Sequence, residues 1–280
     1  MNDVILHRIA NTIVANLENS ESNGLVNGKM GLCLFLYKYA KFSNKPDYKD
    51  VADQLLQDIY CSEHSDMPYN LQDGYAGMGI GLCWLLKHNL LKGNADHVLT
   101  DVDDALLSGM RQCMKQDLMY CSKLSSAGSY LIHRMQLNEF GRKNEFVDKF
   151  LKETCNLIDG IHISRKQINL LGSLECALRK IAEAYKGCLE EISGIIARLD
   201  QVKESCKKDI SAHEVTIDEQ IANLWTAFIN ADCNIALSLE DIRKMTEELI
   251  VQYPYRMDTI NNALAIIGLY TLDETKEYGY

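Results

Sequence analysis

The chain has 280 residues, of which 47% are hydrophobic and 24% charged, a composition typical of a soluble globular protein with a full core. A net charge of -10 argues against nucleic acid or an anionic membrane as the main partner, because both attract a basic surface. Ten cysteines are scattered through the chain without a CxxC pair, which favours reduced thiols and a cytoplasmic protein.

The N-terminal segment predicts an amphipathic helix over residues 2–18, with apolar residues at three- and four-residue spacings. Asp3, His7, Arg8 and Glu18 interrupt the apolar run, so the segment is neither a signal peptide nor a membrane span. We expect one domain over residues 1–280, with no membrane span.

A glycine-rich motif occurs twice. Residues 23–37 read NGLVNGKMGLCLFLY, and residues 73–86, fifty positions later, read DGYAGMGIGLCWLL. A repeat of this length is usually one supersecondary unit that buries its apolar face by stacking on its neighbours. Each copy predicts an inner helix that is apolar nearly all round, over residues 25–40 and 74–86.

Helices with one polar face alternate with these apolar segments. The pattern predicts outer helices from Pro46 and over 95–114, 146–158 and 189–206, inner helices around Gly128 and Gly172, and further helices over 219–228, from Ser238, and over 260–269. We predict an all-α fold, an α,α-toroid in which about six helical hairpins form a double ring, with a short loose tail over residues 271–280.

The glycines have two predicted uses. Those at 31, 81, 128 and 172 lie inside inner helices, where a missing side chain lets neighbouring backbones approach. Gly24 and Gly74 are expected to serve the turns into the helices, with Asn23 and Asp73 as N-caps.

The two motifs resemble the glycine-rich inner-helix repeats of the lanthionine synthetase C-like family. The resemblance implies an α,α-toroid, although the usual ring of that family has seven hairpins where six are counted here. The lantibiotic cyclases of the family add a cysteine thiol to a dehydrated serine or threonine of a precursor peptide. The resemblance therefore implies a peptide substrate or ligand and a role in peptide modification and lantibiotic biosynthesis.

The zinc motifs of those cyclases are absent. The cyclases hold one zinc with two cysteines and a histidine, from a Trp-Cys-x-Gly turn and a Cys-His-Gly turn. Here Trp84 follows Cys83, Cys233 is followed by Asn234, and no cysteine is adjacent to a histidine. No cofactor is predicted, no metal ligand is assigned, and zinc is expected only if non-standard ligands hold it.

Candidate site residues lie near the predicted starts of inner helices, where unpaired N–H groups favour acceptors. We predict that a peptide is bound there by Asn27, Lys29, Tyr75, Ser125 and Asn169. Asp73 is a candidate catalytic base or ligand for a peptide amine, and an N-cap explains it equally well. His133 is a candidate acid or base, with a satisfied interior histidine as the alternative. Cys33 and Cys83 occupy equivalent repeat positions, where core packing is favoured over a thiol site.

These observations predict a protein of peptide maturation or recognition, a zinc-free relative of thioether-forming cyclases. One alternative is a non-catalytic helical-repeat scaffold that binds a peptide or protein, which the missing zinc ligands favour. Another is a six-hairpin carbohydrate-active enzyme, which needs two carboxylates across the mouth of the ring. Asp73 could be one, but Asp103 and Asp104 fall on an outer helix. Whether the chain is an enzyme stays open.

Overall fold

The computed structural model describes residues 2–20, 22–62, 67–111, 118–160, 168–206, 217–229, 238–252 and 257–277. This part of the chain is helical and contains no strand. Its α-helices are α1 (Asn2–Ala15), α2 (Lys29–Ser43), α3 (Pro46–Cys61), α4 (Tyr75–Lys87), α5 (Ala95–Val98), α6 (Thr100–Arg111), α7 (Leu118–Arg134), α8 (Lys143–Gly160), α9 (Ile168–Ala184), α10 (Leu189–Cys206), α11 (Ile217–Ile229), α12 (Leu239–Gln252) and α13 (Met257–Glu277).

The predicted all-α class is confirmed, and the helices follow the predicted alternation closely. Pro46 is the first residue of α3, where its missing N–H costs no hydrogen bond. Ser238 precedes α12, and its Oγ accepts a hydrogen bond from the Asp241 N–H at 3.1 Å. The outer segment predicted over 95–114 is divided into α5 and α6. The observed helix starts agree with the predicted ones because N-cap residues and prolines act on the few residues next to them.

The chain forms two compact units. The first comprises Met1–Gly81, Val215–Phe228 and Asp232–Tyr280, and the second Leu82–Glu214 and Ile229–Ala231. The division falls inside α4, after Gly81. The assignment of residues 1–280 to one domain stays a prediction.

Helix α2 forms the centre of the first unit, where it packs on α3 and α13. Every residue from Met30 to Ala40 is buried, as predicted for an inner helix. The run includes Lys38, whose Nζ donates a hydrogen bond to the Leu269 carbonyl at 3.1 Å. A buried cation therefore joins α2 to α13 within an otherwise apolar core.

The second unit contains a buried charge. Helix α7 packs on α8 and α9, and the side chain of Arg134 in its last turn is fully buried. The Arg134 guanidinium lies 3.4 Å from the Asp103 carboxylate and 4.2 Å from the centre of the Phe140 ring. It also donates to Asp96 and to the Glu139 carbonyl. Helix α6 and the loop after α7 both bond to the Arg134 guanidinium. Arg134 therefore connects these two segments.

The close-packing role predicted for the glycines holds at three helical positions and fails at the fourth. A Cβ at Gly31 would lie 2.3 Å from the Leu25 carbonyl oxygen. A Cβ at Gly81 would lie 2.2 Å from Met30 Cγ, and one at Gly128 would lie 2.8 Å from Phe150 Cζ. A Cβ at Gly172 would meet nothing within 4 Å, so that expectation is wrong. Gly172 instead lines an open groove along α9, with Cys176 among its neighbours.

The C-terminal segment also differs from its prediction. Helix α13 continues to Glu277, and Thr271 and Leu272 are buried. The loose tail expected over 271–280 is therefore helical as far as Glu277, because its first residues still belong to the core. Residues 278–280 lie outside the described residues. Across the described ranges, no helix has both the length and the hydropathy to cross a membrane.

Candidate functional site

The loops ahead of α2 and α4, each part of one copy of the motif, pack against each other in the first unit. The Leu25 N–H donates to the Leu71 carbonyl, and the Asn27 N–H donates to the Gln72 carbonyl, both at 3.2 Å. The Asn27 side chain donates to Asp73 Oδ1 at 3.3 Å. We call residues 22–29 and 68–75 the paired-loop surface.

Glycine is required at this surface because the two backbones nearly touch. A Cβ at Gly24 would lie 2.0 Å from the Gln72 carbonyl oxygen, and one at Gly74 would lie 1.8 Å from the Pro68 carbonyl oxygen. Gly77, in the first turn of α4, would place a Cβ 2.1 Å from the Leu71 oxygen. The glycines therefore permit contact between the loops as well as the turn into each helix.

The predicted caps are wrong at both helices. Helix α2 begins at Lys29 with Gly28 as its N-cap, while Asn23 donates instead to Ser62 Oγ at 2.6 Å. In α4 the Gly74 carbonyl accepts the first helical hydrogen bond, from Met78 at 3.0 Å, so Gly74 is the N-cap. The loops are held by main-chain bonds, which make a side-chain cap unnecessary. The Asp73 carboxylate is consequently bonded to the neighbouring loop.

Several chemically distinct groups meet at the paired-loop surface. Tyr75, the first residue of α4, stacks on Tyr69 with ring centroids 6.1 Å apart. Lys29, half-buried, is the first residue of α2, whose glycine N-cap supplies no side chain to the first N–H groups. A carboxylate, an exposed amide at Asn27, an ammonium and two rings suit the varied polar and apolar groups of a peptide.

Two predicted binding residues lie in the second unit. Helix α7 already begins at Leu118, so Ser125 lies in the middle of the helix. Its side chain is buried there. Its predicted place at a helix start is therefore wrong. Asn169 belongs to the first turn of α9, as expected, but its side chain lies outside the described residues. In the first unit, Asn27 bonds to Asp73, and Lys29 and Tyr75 follow them by two residues at the starts of α2 and α4.

His133 is buried in the last turn of α7. Its Nε2 lies 2.7 Å from the Ile229 carbonyl oxygen, and since a carbonyl only accepts, Nε2 carries the proton. The pKa of His133 is lowered to about 4, mainly by burial; the bond to the Ile229 carbonyl opposes this shift, and the nearby Lys87 and Lys180 add to it. His133 is thus neutral at pH 7, in the geometry of a satisfied interior histidine.

The described cysteines do not fit the zinc set of the cyclases. Cys33 donates to the Ala52 carbonyl at 3.5 Å, and Cys83 is buried near Asp103. Burial raises the pKa of both thiols far above the usual range, which opposes the thiolate that zinc needs. Among described residues, no three His, Cys, Asp or Glu side chains converge as a metal site would require. Cys233 lies outside the described residues.

The carboxylates considered for a carbohydrate-active enzyme lie on α6, as predicted. Asp103 is buried and accepts hydrogen bonds from Tyr130 and Arg134, while Asp104 pairs with Arg142. Both carboxylates already take part in structural hydrogen bonds or ion pairs. No sequence pattern predicted this Arg134 cluster, whose one signal is an arginine at the end of an apolar helix.

The described chain is thus an all-α protein of alternating helices in which two copies of a glycine motif form a paired-loop surface. The family model for lanthionine synthetase C-like protein matches residues 2–180, well over half of the chain and both motifs. The chain belongs to the lanthionine synthetase C-like family. This membership and the helical structure support the predicted α,α-toroid class. No curated protein and no solved structure matches the chain.

Proposed function

We propose that the chain recognises a peptide during its maturation, through the paired-loop surface and without the zinc of the family's cyclases. We place this role in the cytoplasm, as the scattered cysteines favour, and in peptide modification of the lantibiotic kind, as the resemblance implies. The observation that supports the proposal is the joining of the two motif loops, which contain Asn27, Lys29, Asp73 and Tyr75, by main-chain bonds and by the Asn27–Asp73 bond.

Each group at this surface has a partner in a peptide. The Asp73 carboxylate accepts hydrogen bonds from a peptide N–H or amine. The Lys29 ammonium favours a carbonyl or carboxylate, and the partial positive charge at the N-terminus of α2 adds to this, while the Lys29 N–H itself is bonded to the Ser22 carbonyl. The stacked rings of Tyr69 and Tyr75 offer apolar area to a side chain. Such a site would bind a short extended segment.

Thioether formation would require a base in addition to binding. The thiol proton of a substrate cysteine is removed, sulfur bonds to Cβ of the dehydrated residue, and Cα takes up a proton, so no atom is lost. Asp73 and His133 are the candidate bases. Asp73 is half-buried at the surface, whereas His133 is buried, with Nε2 bonded to Ile229. We therefore assign the base, if closure occurs, to Asp73 before His133.

A non-catalytic peptide-binding scaffold is the second candidate. It is favoured by the packed, protonated thiols of Cys33 and Cys83, which are poor zinc ligands. The two candidate functions share the paired-loop surface and differ in whether the bound peptide undergoes ring closure. One probe can therefore distinguish them.

The probe is a fluorescein-labelled peptide with one cysteine and one dehydroalanine separated by three residues. Anisotropy measures binding, and alkylation followed by mass spectrometry measures ring closure, which keeps the mass but removes the reactive thiol. We expect Asp73→Ala to weaken binding about tenfold, the loss of one charge-assisted hydrogen bond. The matched control is Asp101→Ala, which removes an exposed carboxylate of α6.

Binding without closure would support the scaffold, and closure lost in Asp73→Ala would support the enzyme. Equal binding by Asp73→Ala and the wild type would contradict the proposed surface. Metal analysis of protein purified under reducing conditions, after expression with added zinc, tests the cofactor. About one tightly held zinc per chain would contradict the zinc-free proposal and indicate non-standard ligands.

A further inference from the structure

A groove with a volume of about 310 Å³ lies between α1 and α12 in the first unit. Its apolar part is formed by Val4 and Ile5 of α1. Val4 is 73% exposed, more than any other large hydrophobic side chain that the structure describes. The remaining lining residues are polar: Arg8, Arg243, Thr246 and Glu247.

The groove carries an excess of positive charge. Arg8 and Arg243 line it from two different helices, and Glu247 is its one acidic lining residue, so the lining has two positive charges and one negative. Arg243 Nε donates to Glu247 at 3.0 Å, whereas Arg8 makes no ion pair with any described residue. Because Glu247 already pairs with Arg243, Arg8 is the charge of the lining that an acidic ligand meets without an ion-pair partner among the described residues.

This charge contrasts with that of the whole chain, whose net charge is -10. An acidic ligand is repelled by the net charge of the chain and attracted to this groove. Specificity often arises in this way, from attraction at one place and repulsion elsewhere. The apolar pair Val4 and Ile5 adds a place for aliphatic side chains.

We infer that the groove between α1 and α12 docks an acidic peptide segment in which pairs of leucines lie between glutamates. The carboxylates pair with Arg8 and Arg243, and a leucine covers Val4. The lining residues of each helix span one turn, so the groove accommodates two or three side chains of the segment. The inference does not depend on the paired-loop surface, because it uses none of its residues.

The test is fluorescence anisotropy with a labelled, capped peptide of sequence Glu-Leu-Leu-Glu-Glu-Leu-Leu-Glu. We expect the peptide with lysine in place of glutamate to bind at least tenfold more weakly. Arg8→Ala and Arg243→Ala should each weaken binding of the acidic peptide at least fivefold, and 0.5 M salt should weaken it similarly. The matched control is Lys244→Ala, which removes an exposed cation of α12 outside the groove.

Val4→Asp places a negative charge on the apolar part and should reduce binding at least as much as loss of one arginine. Circular dichroism should show unchanged helicity, since Val4 and Arg8 are exposed. Equal binding of the acidic and lysine peptides, or equal losses in Arg243→Ala and Lys244→Ala, would overturn the inference. Displacement of the peptide by decanoate at the same concentration would also overturn it, because the groove would then take any amphipathic anion.

Discussion

The Asn27 side chain donates a hydrogen bond to the Asp73 carboxylate at 3.3 Å, and so joins two copies of one sequence motif. Each residue lies in the loop ahead of a helix, and neither caps its own helix. The bond occurs between loops already connected by main-chain hydrogen bonds from Leu25 and Asn27. The surface proposed to bind a peptide is therefore preorganised by the repeat itself.

The coupling between Asn27 and Asp73 can be measured by a double-mutant cycle. Asn27→Ala and Asp73→Ala should each lower the free energy of unfolding slightly, with a coupling of about 1 kcal/mol, as for one partly exposed hydrogen bond to a charged group. Urea unfolding of the wild type, both single variants and the double variant gives this coupling. Strict additivity would show that the bond contributes nothing in solution.

Two helical glycines should respond to alanine in opposite directions. In Gly77→Ala the new methyl group meets the Leu71 carbonyl oxygen at 2.1 Å, and we expect a loss of about 3 kcal/mol because the backbone must shift. In Gly172→Ala nothing lies within 4 Å, and we expect a gain of up to about 1 kcal/mol from helix propensity. Thermal unfolding of both variants checks the signs, and a destabilised Gly172→Ala would contradict the open groove on α9.

Arg134 should be among the most sensitive polar residues of the second unit. Arg134→Met leaves the buried Asp103 without its cation, and we expect a loss of about 3 to 5 kcal/mol in the free energy of unfolding. The control Arg142→Met breaks an exposed cluster with Asp104 and Glu145, and should cost about 1 kcal/mol or less. Adding Asp103→Asn to Arg134→Met should recover part of the loss. A double variant less stable than Arg134→Met would show that the Asp103 charge is not the cause.

His133 should make the protein less stable in acid. Its pKa is lowered to about 4 in the folded state by burial, against an ordinary value near 6.5 in the unfolded chain. The unfolded chain therefore binds the proton first, so this stabilisation is complete above pH 6.5 and is lost as the pH falls towards 4. The difference between the two pKa values, about 2.5, corresponds to a loss of about 3 kcal/mol in the free energy of unfolding.

Urea unfolding between pH 7 and pH 4 measures this loss as the difference between the wild type and His133→Gln. The control is His97→Gln, which removes an exposed histidine and so measures the effect of the substitution itself. Parallel curves for the wild type and His133→Gln would mean that His133 titrates normally and is accessible to solvent. The acid or base role first considered for it would then regain support.

Local sequence signals predicted most of the helices. The predicted outer helix over 189–206 coincides with α10 (Leu189–Cys206), because apolar spacing and caps act over a few residues. The repeat was less informative about the residue at which each helix begins. Its copies are fifty residues apart, yet α2 begins at Lys29 and α4 at Tyr75, because hydrogen bonds between the loops, rather than the motif, decide where each helix starts.

The sequence by itself determined the helical class, the family resemblance and four of the residues at the paired-loop surface. Only the tertiary structure decided that Asn27 meets Asp73, that Ser125 and His133 are buried, and that Gly172 faces open space. The reason is physical: helix formation depends on neighbours a few residues away, whereas burial and pairing depend on which distant segments pack together. The sequence does not distinguish a histidine that faces solvent from one, such as His133, that bonds to the Ile229 carbonyl.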